Sequence, residues 1–172
     1  WEWAQRAAAI LFIPLLTLFI WQNWKGDTGE VAEMMEVKTS PGMTTSLTLP
    51  DGTIVYLNSE SSLSYPSRFN GDFRRVTLSG EAYFEVAKDP EKKFILSTTH
   101  QSQIEVLGTA FNVRSNEEVP FSLSVRRGKV KVSLKRGGHS VLVNAGETVT
   151  LQSQQLQLSE TSQGDESGVY TK

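Results

Sequence analysis

The sequence predicts an all-β domain, an antiparallel β-sandwich or jelly roll, preceded by one transmembrane α-helix. Two observations indicate the β-domain: brief runs in which apolar and polar residues alternate, and turn residues between those runs. Short strands with such frequent turn signals are typical of sandwiches and barrels. An uncharged apolar stretch near the N-terminus indicates the helix. A recurring strand–glycine–strand rhythm leaves a short β-solenoid as the alternative fold.

Residues 1–24 are predicted to form the transmembrane helix. No ionisable residue lies between Arg6 and Lys25, and a span needs about 20 mainly apolar residues. A signal peptide is disfavoured because no small-residue cleavage motif follows, and an all-β remainder offers a buried core helix no partner. The four tryptophans flank the stretch in pairs, as in the aromatic belts of membrane proteins: Trp1 and Trp3, then Trp21 and Trp24.

Turn residues divide the remainder into predicted strands. Pro50-Asp51-Gly52 separates two alternating runs and predicts a hairpin, because proline presets the first turn dihedral and glycine accepts a positive φ. Asn70-Gly71 precedes a strand at 74–78, and valines alternate with polar residues over 129–134. Ala145-Gly146 ends another strand. No sustained 3.6-residue apolar period follows the membrane segment, so few helices are expected.

These signals give four predicted segments. Residues 1–24 form the membrane helix and 25–36 a juxtamembrane linker. Residues 37–158 form the β-domain. Residues 159–172 are composed like a flexible linker and are expected to lead to a further C-terminal module.

Composition and motifs argue against catalysis. The chain has no cysteine, which excludes disulfides and thiolate metal sites, and its two histidines, His100 and His139, lie far apart. Phosphate-loop, dinucleotide and nucleophile-elbow motifs are lacking. Glu81 and Glu85 of one predicted strand would lie ~13 Å apart, beyond the ~5 to 9.5 Å of a glycosidase pair. We therefore predict no catalytic residue, no metal, no cofactor and no enzymatic activity.

A basic cluster is the other feature that suggests chemistry. It has no interleaved aromatic residues to stack on bases, so a solvated or edge-protecting strand face is favoured over nucleic-acid binding. Its members are Arg126, Arg127, Lys129, Lys131, Lys135 and Arg136.

Several runs, in order from about residue 37 to 151, resemble the FecR family of bacterial transmembrane anti-sigma regulators. The longest is Val76 to Val86, with Gly-Glu-Ala-Tyr-Phe-Glu-Val at its end. Pro50-Asp51-Gly52, Val106 to Val113, Gly128-Lys129-Val130 and Ala145-Gly146-Glu147 are similar to further family runs. The motif residues, expected to determine the fold, are Pro50, Asp51, Gly52, Asn58, Pro66, Gly80, Glu81, Tyr83, Phe84, Glu85, Gly108, Phe111, Asn112, Gly128 and Gly146.

The resemblance implies a signal transducer in the bacterial inner membrane. In the family, one helix crosses that membrane and the β-domain lies in the periplasm. A cytoplasmic segment, expected before Trp1, handles an extracytoplasmic-function sigma factor. A C-terminal module, expected after Lys172, receives a signal from the signalling domain of a TonB-dependent outer-membrane transporter.

The leading interpretation is therefore the periplasmic sensor part of an anti-sigma regulator. Its β-domain would act as a rigid spacer and proteolysis shield. The alternative is an anchored periplasmic module that binds a glycan or another ligand, with Tyr56, Tyr65 and Tyr83 as a shallow platform.

Overall fold

The computed structural model describes residues 14–19, 32–116, 120–135, 139–152 and 155–160. The chain divides into two units, residues 1–31 and 32–172. Of the first unit only residues 14–19 are described, and they are helical. Among the described residues no helix has the length and apolarity needed to span a membrane. The rest of the predicted membrane helix, linker residues 25–31 and tail residues 161–172 lie outside the described residues.

The second unit is built from short strands, as the turn signals predict. Its described part contains thirteen strands in chain order. They are β1 (Met34–Lys38), β2 (Thr45–Thr48), β3 (Ile54–Leu57), β4 (Ser62–Pro66), β5 (Phe73–Glu85), β6 (Lys93–Thr98), β7 (Ser102–Val106), β8 (Ala110–Ser115), β9 (Ser122–Arg127), β10 (Lys129–Leu134), β11 (Ser140–Asn144), β12 (Glu147–Gln152) and β13 (Gln155–Glu160).

The strands form two sheets that share the long strand β5. In the first sheet the order is β11–β10–β7–β6–β5–β4–β1, and β5 contributes residues 73–79. In the second sheet the order is β13–β12–β9–β8–β5–β3–β2, and β5 contributes residues 80–85. One continuous strand, β5, therefore takes part in both sheets.

The all-β prediction is confirmed. Eleven of the twelve strand pairings in the described part are antiparallel, and only β5 and β6 pair in parallel. The long β5–β6 loop, residues 86–92, carries the chain back along β5 and makes that parallel pair. β11 also contacts β9, β12 and β13, so the two sheets nearly close into a barrel. A β-solenoid requires parallel pairing between successive strands, and among the described strands only β5 and β6 pair in parallel. The solenoid alternative is therefore wrong.

One hydrophobic core lies between the sheets. Side chains alternate between core and solvent along the strands, as in Arg74, Val76 and Leu78 on the inner side of β5. Phe84 stacks on Phe111 with ring centroids 5.3 Å apart. Phe94 of the first sheet meets Phe84 edge-on at 6.1 Å. The Phe84–Phe94 contact therefore packs the two layers against each other.

The strands extend slightly beyond the predicted β-domain of residues 37–158. β1 begins at Met34, inside the predicted linker, and β13 continues to Glu160. Met34 to Lys38 pair antiparallel with Pro66 to Ser62 of β4, so the first strand is tied to the first sheet.

Candidate functional site

Most motif glycines and prolines lie at turns and strand ends, whereas Gly80 lies inside β5. Pro50, Asp51 and Gly52 form the β2–β3 turn, where Gly52 has φ of +84° and donates to the Leu49 carbonyl at 2.9 Å. Four others are distributed along the unit: Pro66 ends β4, Gly108 lies between β7 and β8, Gly128 between β9 and β10, and Gly146 between β11 and β12. Asn58 follows β3, and its backbone N–H donates to the Glu81 carbonyl at 2.9 Å.

The core contains two motif phenylalanines, Phe84 and Phe111, both with no exposed surface. They face each other across the β5–β8 pair, where they are register partners. Glu81, Tyr83 and Glu85 lie on the opposite, outer side of β5, as the period of two predicts.

The outer face of the second sheet holds a polar cluster around Glu81. The Glu81 carboxylate accepts from Arg114 Nε at 3.0 Å and from Asn112 Nδ2 at 3.1 Å. Tyr83 neighbours this cluster, and Tyr56 lies beside it with ring centroids 6.1 Å apart. Burial, helped by the negative charge of Glu85, raises the pKa of Tyr83, while Arg126, which hydrogen-bonds Tyr83, acts in the opposite direction.

A buried ion pair connects two of the sequence motifs. Arg74 Nη1 donates to Asp51 Oδ2 at 2.7 Å, and the Arg74 side chain is only 2% exposed. Nη1 also donates to the Ala87 carbonyl at 2.9 Å and Nε to the Lys92 carbonyl at 3.0 Å. The guanidinium therefore holds the start of β5 to the loop that follows the same strand.

Asp51 also accepts two hydrogen bonds from Thr53 in its own turn. Its Oδ1 accepts from the Thr53 backbone N–H at 3.0 Å and its Oδ2 from Thr53 Oγ1 at 2.7 Å. Thr53 Oγ1 in turn accepts from the Ala87 backbone N–H at 3.1 Å. The motif Pro-Asp-Gly-Thr is thus the structural anchor of the β5–β6 loop as well as a hairpin turn.

Arg74 is a residue of the buried pair that was not predicted from the sequence, although the sequence contains a signal for it. Arg74, Val76 and Leu78 share one strand face by the period of two, and that face is apolar at its other positions. A charged residue on a core face requires a buried partner. Only the tertiary structure shows that this partner is Asp51.

The basic cluster is divided between the two sheets. Arg126 and Arg127 end β9 in the second sheet, whereas Lys129 and Lys131 lie on β10 in the first. All four are exposed, and so is Lys135, while Arg136 lies outside the described residues. β10 is flanked by β7 and β11, so of the two expected roles its lysines form a solvated strand face and do not protect a sheet edge.

The three tyrosines of the ligand-binding alternative do not form one platform. Tyr65 belongs to the hydrophobic core and is 7% exposed. Tyr83 is 9% exposed, and only Tyr56 beside it is half-buried. The expected shared tyrosine surface is therefore wrong, because Tyr65 points inward from β4. Among the described residues, no group of three or more acidic or histidine side chains is arranged to hold a metal ion.

Comparison with known proteins places this arrangement in a family. The family model described as FecR protein matches residues 35–131. Two crystal structures of Parabacteroides distasonis proteins, each provisionally classed as an anti-sigma factor, share the fold. The structure at 2.50 Å resolution is 33% identical with a TM-score of 0.70, covering 74% of this chain and 60% of that chain. The structure at 1.65 Å is 33% identical with a TM-score of 0.69, covering 73% and 59%.

This chain thus spans about 60% of the length of the solved structures that it matches. A search of the curated proteins finds no match. The family match includes the Asp51–Arg74 pair, the Gly80 to Val86 run and the Phe84–Phe111 stack. The chain belongs to the FecR protein family.

Proposed function

We propose that the chain is the membrane-anchored sensor part of an anti-sigma regulator. The FecR family match over residues 35–131 carries this proposal, and the likeness to two proteins classed as anti-sigma factors supports it. The regulated protein is a sigma factor of the extracytoplasmic-function class. The signal comes from the signalling domain of a TonB-dependent outer-membrane transporter.

The proposed arrangement places the β-domain in the periplasm and the anchor in the inner membrane. The uncharged stretch between Arg6 and Lys25, with tryptophans at both ends, supports the anchor. The sigma factor is bound on the cytoplasmic side of that helix, and the transporter acts on a module C-terminal to the β-domain.

Within this arrangement the β-domain is a rigid spacer and a proteolysis shield rather than an enzyme. A single core between two sheets, joined by one continuous strand, supports rigidity. The buried Asp51–Arg74 pair supports it further, because it fixes the β5–β6 loop. A signal then changes the access of a protease to the juxtamembrane residues before β1.

The regulatory proposal is tested by the transcriptome of a strain that lacks the gene, compared with its parent with and without candidate inducers. We expect a change confined to one regulon that includes a gene for an outer-membrane transporter. Unaltered transcription under every condition would contradict control of a sigma factor.

The shield is tested separately with Phe84→Asp in the full-length protein. This change buries an unpaired charge in the core and is expected to cost several kcal/mol, which unfolds the domain. We expect a reporter of the sigma factor to become active without inducer. Glu85→Gln, one position along on the outer side of β5, is the matched control and should leave the reporter silent. A silent reporter in Phe84→Asp, with unfolding verified by circular dichroism, would exclude the shield.

A further inference from the structure

A pocket of about 280 Å³ opens where three connecting segments meet. The β2–β3 turn contributes Pro50 and Asp51, and the β4–β5 loop contributes Arg68, Phe69 and Asn70. The β5–β6 loop contributes Asp89 and Lys92, and Arg74 also lines the pocket. The buried ion pair described above thus forms one side of the pocket.

The charged side chains leave this pocket positive. Arg68, Arg74 and Lys92 carry three positive charges, while Asp51 and Asp89 carry two negative ones. Asp51 already accepts hydrogen bonds from Thr53 and Arg74. Asp89 accepts backbone N–H groups of Glu91 and Lys92, and these bonds lower its pKa, so it is ionised at neutral pH. One positive charge remains in excess, which favours an anionic ligand.

Arg74 has hydrogen-bonding capacity that no protein group uses. Its Nε and Nη1 are paired, but Nη2 is buried and has no protein acceptor. A charged donor that is buried without an acceptor destabilises the protein, so a ligand oxygen that reached Nη2 would be stabilised there. Arg74 lines the pocket, and Lys92 Nζ donates to the Phe69 carbonyl at 2.5 Å, so both cations are held at the pocket by bonds within the chain.

The walls restrict the ligand further. Pro50 and Phe69 supply apolar surface beside the cations, which suits a ligand with a short apolar stem and disfavours a bare inorganic anion. From the excess positive charge, the unused Arg74 donor and the apolar wall, we infer that the pocket binds a carboxylate on a short apolar stem. Such a group is either a small organic acid or a glutamate side chain of a partner protein. The inference rests on the pocket alone and stands whether or not the regulatory proposal holds.

The test is an amide chemical-shift titration of the labelled full chain in detergent micelles. Sodium butyrate should give saturable shifts at residues 69, 89 and 92, and butyramide, its uncharged analogue, should give none. If the peptide acetyl-Ala-Glu-Ala-amide binds more tightly than butyrate, the ligand is a glutamate side chain of a partner protein. If the peptide does not bind, the ligand is a small organic acid. Inorganic phosphate that binds as tightly as butyrate would overturn the carboxylate class.

Variants separate binding from folding. Arg74→Lys removes the Nη2 donors and should abolish the butyrate shifts. Because that variant can also fail to fold, Lys92→Gln and Asp89→Asn provide independent readouts. Lys92→Gln should weaken binding and Asp89→Asn should tighten it, each by at least about threefold, since a cation and a competing anion are removed.

Arg75→Gln is the matched control, because Arg75 is the exposed neighbour of Arg74 on the other side of β5. It should leave the dissociation constant unchanged. Equal responses of Asp89→Asn, Lys92→Gln and Arg75→Gln, or no saturable shift in the wild type, would overturn the inference.

Discussion

Arg74 brings a full positive charge into the interior of the β-domain. Among the largest fully buried side chains of the described residues it is the only charged one. Taking an ion out of water costs several kcal/mol unless a counter-charge and hydrogen bonds replace the water. Asp51 supplies the counter-charge, and the carbonyls of Ala87 and Lys92 accept two further hydrogen bonds. The motif aspartate is therefore required by a residue 23 positions away.

Asp51→Asn should destabilise the domain by about 3–5 kcal/mol, because it leaves the guanidinium buried without its counter-ion. Urea unfolding followed by far-ultraviolet circular dichroism measures this. Glu81→Gln is the control, since its partner Arg114 is 40% exposed and solvent screens that pair, so a smaller loss is expected. Equal losses in the free energy of unfolding would show that the buried pair stabilises the domain no more than the Glu81–Arg114 pair does.

Tyr83 makes stability depend on pH in the alkaline range. Burial and the charge of Glu85 raise its pKa above the ordinary value of 10.0. Above pH 10 the unfolded chain therefore releases the tyrosine proton while the folded chain retains it, so the free energy of unfolding falls as pH rises. We expect the urea midpoint to drop less steeply between pH 9 and 11 in Tyr83→Phe than in the wild type. Parallel curves for the two proteins would contradict this linkage.

At the scale of elements, β5 determines how the two sheets are connected. Its 13 residues pair with β4 and β6 before Gly80 and with β3 and β8 from Gly80 onward. Gly80 has φ of +104°, a conformation that side chains with a Cβ rarely adopt. Ser61 packs against it and accepts the Glu81 backbone N–H at 2.9 Å. The strand thus changes sheets where its backbone needs a glycine.

Gly80→Ala is expected to cost about 2–4 kcal/mol. The new Cβ would lie 2.3 Å from Ser61 Oγ and 2.7 Å from Ser61 Cα, and the backbone cannot move away without breaking the register of β5. Thermal unfolding measures the loss. Gly71→Ala is the control: it also has positive φ, +91°, but has open space around it, so only the smaller conformational strain of about 1 kcal/mol is expected. A Gly80→Ala loss no larger than that of Gly71→Ala would exclude the packing argument.

At the scale of the whole β-domain, a shared strand and a single core predict one cooperative unfolding unit. Native-state amide exchange should give the same global free energy, within ~1 kcal/mol, for Leu96 in the first sheet and Val113 in the second. Tryptophan fluorescence is unsuitable, because all four tryptophans lie in residues 1–24. Clearly separate values for the two sheets would show that they unfold independently and would weaken the rigid-spacer proposal.

The all-β class, most turns and the inward side of the motif strand could be predicted from the order of the amino acids. These properties are local: a turn needs proline, aspartate and glycine at fixed positions, and the side-chain period of two assigns Phe84 and Glu85 to opposite faces. The family could also be predicted from the sequence, because its motif residues recur in order along the chain.

Which strands become neighbours, and which distant residues therefore meet, could be learned only from the folded structure. Sequence spacing does not specify that β5 serves two sheets, that β5 and β6 pair in parallel, or that β9 and β10 separate the basic cluster. The inward position of Arg74 was readable from the alternation, but its partner was not. Pairing between distant segments depends on the packing of the complete core, so Asp51, Arg74 and the pocket beside them meet only in the folded molecule.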